Sequence, residues 1–354
     1  MPVARTLAQA YRRFGEVDAA GSSPLHAHVA VALGASAEAL RAIEAAPARS
    51  RQPAVILAAL HDLALAGHAP ALAAAYAAAD GDAAVRAAVE TLVRRTDAVL
   101  AVAARRPVLP DEAGHGAVLY PLLTEAARRT GASAVGLIDV GRAAGLNLTV
   151  DRVGITYGNG QTLGDPSSPV QLSARVVGDR PLPERAMPEV AARIGVDRDP
   201  VDVTDAEAVR WLRACVPPDQ PERAARLDAE LAVAAADPPL LLRGDPVELL
   251  ADAVAHVPAD ALPVVTTTWA LSRIPLERRL RFLHRLDEAA AGRAVAWVSA
   301  EGVGVAPAIP TLGDRRASGH SILGLAVFDG PELRAEAVGR CWSHGSVLAW
   351  LADP

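Results

Sequence analysis

Between residues 117 and 302, apolar runs alternate with stretches in which apolar side chains recur at helical spacing. The runs SAVGLIDVG (133–141), LPVVTTTWAL (262–271) and RAVAWVSAEG (293–302) are apolar almost throughout, which is typical of strands buried on both faces. Because two parallel strands need a crossover between them, the intervening helices predict an α/β fold with a doubly wound, mostly parallel sheet. In such a sheet, ligands bind beyond the carboxyl ends of the strands, where the strand order reverses.

Residues 1–112 have a different pattern, which is rich in Ala and Leu and is interrupted by Gly and Pro. This pattern predicts an N-terminal all-helical domain built from short helices. Helical spacing continues through 83–106, which predicts the longest helix of the block, with Asp82 as its N-cap. Residues 113–354 are then predicted to form the α/β domain.

The α/β domain departs from simple alternation at two places. Near 153–190 the stretches GITYG and PVQLSARVVG are separated by turn residues, which predicts a β-rich insertion. After the last helix, SILGLAVFDG and PELRAEAVGRCWSHG are joined at Asp329-Gly330-Pro331, which is too tight a connection for a crossover helix. These two strands therefore predict a C-terminal antiparallel hairpin.

The chain of 354 residues contains no lysine, so all 35 of its basic residues are arginine. A P-loop and a protein kinase both use a lysine on the phosphates of the nucleotide. Pyridoxal-phosphate enzymes and Schiff-base aldolases use a lysine for their covalent chemistry. The composition therefore excludes all of these classes.

Charge and hydropathy narrow the range of partners. The net charge of −6 and the lack of a basic block argue against nucleic-acid binding. No apolar run has the length of a membrane span, and the first residues lack a signal-peptide core. The two cysteines and nine histidines show no metal-site spacing. We expect a cytoplasmic protein that takes a small-molecule substrate and no metal, membrane or nucleic acid; its oligomeric state is not predicted.

The stretch GLIDVGRAAGLNLTVDR (136–152) carries the strongest functional signal. Its apolar strand ends at Asp139, and the chain then turns through Gly141 and Gly145 into a short helix. Glycine lets the backbone turn tightly and approach a ligand, and a helix N-terminus offers N–H groups to an anion. Asp139 would bind an ammonium group or orient the loop. The alternative is a tight turn that serves packing alone.

The segment LIDVGRAAG resembles the first motif of class I S-adenosylmethionine-dependent methyltransferases, in which an acid and a Gly-rich turn follow an apolar strand. The resemblance implies a methyltransferase-like core in residues 113–354 and S-adenosylmethionine as the cofactor. The cofactor-binding residues that it implies are Asp139, Gly141, Arg142, Ala143, Gly145, Asn147, Asp197 and Asp245.

Within this set the resemblance implies separate roles. Asp197, in IGVDRDP, corresponds to the acid that holds the ribose hydroxyls, although Asp151 competes with it for this role. Asp245, in LLLRGD, corresponds to the residue that contacts adenine; the alternative is that it only caps the helix that follows. Ala143 stands where the middle glycine of the turn is expected, and Asn147 is equally suited to cap or hydrogen-bond the loop.

The resemblance also places a substrate pocket at the end of VVTTTWAL, which implicates Thr267, Thr268 and Trp269. Further substrate-binding candidates are Asp151, Arg152 and Tyr157. Arg152 would clamp a substrate carboxylate, or form an ion pair with Asp151. Tyr157 would reach the pocket, or pack in the core as a hairpin tyrosine. His344, in CWSHGSV, is the best candidate for a general base, with a surface or structural histidine as the alternative.

A longer resemblance covers nearly the whole chain. The phrases DVGRAAGLNLTVDR, GVDRDPVDVTDAEAVRWLRACVPPDQPER and LLLRGD resemble the bacterial family called domain of unknown function 2332, which implies no activity. In that family the turn carries a glutamate and a serine where this chain has Asp139 and Ala143, so a serine nucleophile is excluded at that point.

The sequence therefore supports three hypotheses. The first is S-adenosylmethionine-dependent methyl transfer to a small molecule, in which the protein holds the nucleophile in line with the sulfonium methyl. The second is a methyltransferase-fold protein that binds a nucleoside or another metabolite without transfer. The third is an interaction or scaffold protein that uses its helical block.

Overall fold

A computed structural model describes residues 6–109, 114–141 and 144–353. The chain forms two compact units. The first consists of residues 6–109 and Thr204–Asp228, and the second of residues 114–203, with 142 and 143 outside the description, and 229–353. Each unit has its own apolar core.

The described residues include twelve α-helices. They are α1 (Leu7–Arg13), α2 (Pro24–Ala35), α3 (Ala37–Glu44), α4 (Pro53–Leu65), α5 (Pro70–Ala77), α6 (Gly81–Arg94), α7 (Thr96–Arg105), α8 (His115–Thr130), α9 (Ala206–Ala214), α10 (Pro221–Ala236), α11 (Leu250–Ala255) and α12 (Leu276–Ala289). Helices α1–α7 and α9 belong to the first unit, which is all-helical, as predicted for the N-terminal block.

The long helix expected over 83–106 is two helices, which is a correction to the sequence reading. The helix α6 ends at Arg94, and Arg95 leaves helical geometry at φ −123° and ψ 33°. The hydroxyl of Thr96 donates to the carbonyl of Leu92 at 2.8 Å, which competes with the backbone ladder at the break. The N-cap is Asp80, which accepts from Ala83 N–H at 3.0 Å, and Asp82 lies inside the first turn.

No single helix among the described residues is long and apolar enough to cross a membrane. Helices α4 and α5 together have the length and composition of a span, but they are bent by 100° at the break between them.

The second unit is built on one sheet of eleven strands. The strands are β1 (Ala134–Val140), β2 (Gly154–Tyr157), β3 (Thr162–Gly164), β4 (Gln171–Val176), β5 (Glu189–Asp197), β6 (Leu240–Arg243), β7 (Leu262–Thr268), β8 (Val295–Gly302), β9 (Ser321–Asp329), β10 (Glu332–Trp342) and β11 (Val347–Trp350). Their order in the sheet is β3-β2-β4-β11-β10-β9-β8-β7-β1-β5-β6.

Six of the strand pairs are parallel and four are antiparallel, so the sheet is mixed and mostly parallel. The prediction of an α/β fold with a C-terminal antiparallel hairpin is confirmed, since β9 and β10 pair across the turn at Gly330. Strands β2, β3 and β4 occupy the region of the predicted insertion. They continue the same sheet, because β4 pairs with β11, a strand that the sequence pattern did not indicate.

Alternate residues of the central strands face opposite layers of the second unit. Val135 and Leu137 of β1 join a core cluster with α8, whereas Ile138 and Val140 join a cluster with α11 and α12. This double burial explains why the strands are apolar throughout. At Gly136 an added Cβ would lie 2.4 Å from a methyl carbon of Val257, so glycine permits the close approach of that layer.

The strand order reverses at β1. From β1 the chain passes to β5 and β6 on one side, and it then returns to β7 and β8 on the other. The residues at the carboxyl ends of β1, β5 and β7 therefore lie at the switch point, where ligands of such sheets bind.

Candidate functional site

Asp139, the penultimate residue of β1, is fully buried and held by two polar side chains. The hydroxyl of Thr266 donates to Oδ1 of Asp139 at 2.8 Å, and Nδ2 of Asn147 donates to Oδ2 at 3.1 Å. Asn147 also donates to the hydroxyl of Thr268 at 3.1 Å. These bonds join the end of β1, the segment after the glycine turn and the end of β7. Asp139 is thus hydrogen-bonded to the segment that follows the turn, a contact consistent with the expectation that it orients the loop.

Both glycines of the predicted turn adopt left-handed backbone geometry, with φ 74° at Gly141 and 63° at Gly145. A side chain is strained in this region, which explains why glycine occupies both positions. The N–H of Gly141 donates to the carbonyl of Val196 at 2.9 Å, which ties the turn to β5. The predicted cofactor-binding residues Arg142 and Ala143 lie outside the described residues.

After Gly145 the chain forms a short 3-10 helix, Leu146–Arg152. A cavity of about 20 Å³ lies beside it, which is room for roughly one water molecule. Its lining residues are Gly114, Gly116, Leu146, Asn147, Thr149, Val150, Val153, Leu172 and Glu230.

The two other acids assigned to the cofactor follow β5 and β6. Asp197 is half-buried at the end of β5, and its Oδ1 accepts from the N–H of Asp199 at 2.8 Å. Asp245 forms ion pairs with Arg198, at 2.9 Å, and with Arg278. Burial acts to raise the pKa of Asp245, but these arginines and the N–H of Val247 outweigh it and lower that pKa. Asp245 is therefore a negative charge that its own neighbours already balance.

Asp151 and Arg152 do not pair with each other, contrary to the structural alternative raised for them. Asp151 makes a bidentate ion pair with Arg193, with both distances at 2.7 Å. Arg152 pairs with Asp237, which also lies 3.4 Å from Nε of Arg193. The hydrogen bond from Arg152 is the main factor that lowers the pKa of Asp237. All four side chains are thus committed to one network.

Two of the substrate candidates, Thr267 and Tyr157, are buried and hydrogen-bonded within the protein. Thr267 is fully buried and accepts from the indole N–H of Trp297 at 3.0 Å, on the opposite face of β7 from Thr268. Tyr157 is buried, and its hydroxyl donates to the carbonyl of Ala117 at 2.7 Å. That placement matches the alternative of a core tyrosine, and burial raises its pKa.

Trp269 is at the centre of an aromatic cluster at the end of β7. Its backbone is left-handed at φ 52°, and its indole N–H donates to the hydroxyl of Ser321 at 2.8 Å. Its ring lies 4.8 Å from that of His115 and 4.9 Å from that of His344, measured between centroids. His344, the candidate base, is exposed and also left-handed, at φ 53°. The structure therefore brings Trp269 and His344 together.

Sequence reasoning missed two residues beside this cluster. His115 is buried at the start of α8, and it carried no spacing signal. Glu301 is fully buried in β8, and its Oε1 accepts from the N–H groups of Ala270 and Leu271, both at 2.9 Å. A glutamate inside the apolar run RAVAWVSAEG was the available signal, because buried carboxylates require partners.

Within the described ranges, no group of three or more His, Cys, Asp or Glu side chains is arranged to hold a metal ion.

The fold and the site define an α/β protein with a helical unit and an acid-and-glycine turn at the switch point of its sheet. The chain belongs to the family described as an uncharacterized protein conserved in bacteria (DUF2332), whose model matches residues 8–350. No curated protein and no solved structure matches the chain.

Proposed function

We propose that the α/β unit binds S-adenosylmethionine and transfers its methyl group to a small molecule. The observation that carries this proposal is the turn after β1, with Asp139 anchored and Gly141 and Gly145 both left-handed at the switch point. In sheets of this kind a ligand binds beyond the carboxyl ends of the strands at the switch point, and Gly141 and Gly145 bring no side chain of their own to that place. The resemblance to the first methyltransferase motif supports the choice of cofactor.

The residues of this chain would divide the work as follows. The Gly141–Gly145 turn holds the amino-acid part of the cofactor, and Asp139 keeps that turn in place. Asp197, half-buried at the neighbouring strand end, accepts hydrogen bonds from the ribose hydroxyls. Asp151 is less suited to the ribose, because Arg193 already occupies both of its oxygens. Asp245 lies at the third strand end, towards adenine.

The acceptor would lie against Trp269, whose ring and the neighbouring His344 form an aromatic wall. When bound, the cofactor supplies an electrophilic methyl group on a sulfonium. The protein positions the acceptor nucleophile in line with that methyl, and His344 takes the proton that the nucleophile loses. Thr267 and Tyr157 support these elements from the core.

A second candidate is binding of a nucleoside metabolite without transfer. It is favoured by the exposure of His344, since a base in open solvent is poorly held against an acceptor. Formation of S-adenosylhomocysteine from S-adenosylmethionine in the presence of a mixture of small-molecule metabolites distinguishes transfer from binding.

The experiment is calorimetric titration of the full chain with S-adenosylmethionine and S-adenosylhomocysteine. We expect micromolar binding that weakens at least tenfold in Asp197→Asn, since one or two hydrogen bonds to the ribose are lost. Asp151→Asn is the matched control and keeps the affinity of the parent protein. No heat and no shift in melting temperature at millimolar cofactor would refute the proposal. A loss of affinity in Asp151→Asn but not in Asp197→Asn would assign the ribose to Asp151 instead.

A further inference from the structure

The helical unit contains a cavity of about 320 Å³ that the α/β site does not use. It lies between α4, α5, the end of α9, the segment that follows α9 and the start of α10, and all of its lining residues belong to the same unit. Its wall is mostly aliphatic, and its volume is within the range of small-molecule pockets. The lining residues central to the argument are His61, Ala73, Tyr76, Arg213, Val216 and Asp228.

Two polar atoms near this cavity are buried and have no hydrogen-bond partner among the described residues. They are the hydroxyl of Tyr76, which lines the cavity, and Nε2 of His26. The Tyr76 side chain is 5% exposed, and the ring of His26 lies 6.4 Å from it. A buried hydroxyl without a hydrogen-bond partner destabilises the folded state. Such a group is therefore expected where a water molecule or a ligand supplies the missing hydrogen bond.

His61 is a second polar residue in the same wall. Its Nδ1 lies 3.2 Å from the carbonyl of Ala214, and its ring packs edge-on to Tyr76 at 5.5 Å. Burial lowers the pKa of His61, although backbone hydrogen bonds with Ala214 and Val216 oppose the shift. Because a carbonyl can only accept, the contact with Ala214 requires Nδ1 to donate.

The two charged lining residues, Arg213 and Asp228, form an ion pair in which their charges balance. Arg213 donates to Asp228 at 2.5 Å, and both side chains are about half exposed, which places the pair at the solvent end of the cavity. The inner wall therefore favours an uncharged occupant, since an isolated charge there would lose its water without gaining a partner.

We propose that this cavity is a second binding site, for a small, uncharged, largely apolar molecule that carries a hydroxyl or N–H group. That group forms a hydrogen bond with the Tyr76 hydroxyl, while the aliphatic wall holds the apolar body. The site is independent of the proposed cofactor site, and its test uses no S-adenosylmethionine.

The test is calorimetric titration of the full chain with 2-naphthol, which is an uncharged bicyclic ring with one hydroxyl. We expect saturable binding with a Kd below about 1 mM, which is typical of small molecules that bind weakly. The anionic analogue 2-naphthoate has a similar shape, and we expect it to bind at least tenfold more weakly, because it brings a charge and no donor.

Three variants locate the binding. Ala73→Leu fills the cavity, so we expect it to abolish the binding of 2-naphthol. Ala71→Leu lies at an exposed position of the same helix and should leave that binding unchanged. Tyr76→Phe removes only the hydroxyl, and we expect it to weaken 2-naphthol about tenfold with a melting temperature at or above that of the parent. Absence of saturable binding, equal affinity for 2-naphthoate, or affinity unchanged in both Ala73→Leu and Tyr76→Phe would overturn the proposal.

Discussion

The stability of the helical unit should fall steeply between pH 7 and pH 5 because of His26. Burial, together with the nearby His61, lowers the pKa of His26 from 6.5 to about 4, although the charge of Asp219 opposes the shift. The unfolded chain therefore binds this proton at a higher pH than the folded chain does. The stabilisation is present above pH 6.5 and is lost as the pH falls towards 4. For these two pKa values the loss at pH 5 is about 2 kcal/mol.

The perturbation that isolates this contribution is His26→Leu, which keeps a buried side chain of similar size and removes the titrating ring. Urea unfolding of both proteins at pH 7 and at pH 5 gives four free energies of unfolding. The difference of differences cancels the pH dependence of groups that do not interact with His26. We expect the variant to lose about 2 kcal/mol less than the parent between the two pH values.

Equal losses in the two proteins would refute the reasoning, because His26 would then bind its proton alike in the folded and unfolded chains. If His26→Leu does not fold at pH 7, His26→Gln gives the same comparison, since glutamine also does not titrate. A difference of differences smaller than about 0.5 kcal/mol would likewise contradict a pKa near 4.

Two further substitutions test the second unit. Gly136→Ala should lower the free energy of unfolding by about 1–3 kcal/mol, because its Cβ would overlap Val257; Gly292→Ala has open space around it and is the control in the same urea titration. Tyr157→Phe should cost about 1–2 kcal/mol in that titration, because the buried carbonyl of Ala117 loses its donor, and no loss would mean that this carbonyl finds another partner.

The parts of the fold that follow from the sequence are those with a local signal. The glycine turn after β1 was predictable, because Gly141 and Gly145 occupy positions where other residues are strained. The hairpin at Gly330 was predictable because its connection is too short for anything else. The strand β11 was not, since its four residues are all apolar and one of its two partners, β4, is distant in the sequence.

In the candidate site, too, the sequence predicted local features but not contacts between distant segments. The sequence pointed to Asp139 and Asn147 on either side of the turn, and the structure joins them by a hydrogen bond. It did not reveal that Thr266 holds the other oxygen of Asp139, because that contact crosses between strands 127 residues apart. In the same way, Asp151 pairs with Arg193 and not with its neighbour Arg152. The sequence did not indicate this pair, because Arg193 comes close to Asp151 only in the folded chain.

The pairing of β11 with β4 has a consequence for how the sheet is assembled during synthesis. Strands β2, β3 and β4 leave the ribosome early, yet β11, against which β4 pairs, is made only after β5 to β10. Until then this three-stranded piece presents an unpaired parallel edge, and such edges recruit other chains. Pairing of β4 with β11 is therefore a long-range step that completes the sheet after the other strands have been made. We expect a nascent chain stalled before Val347 to aggregate through the unpaired edge of β4.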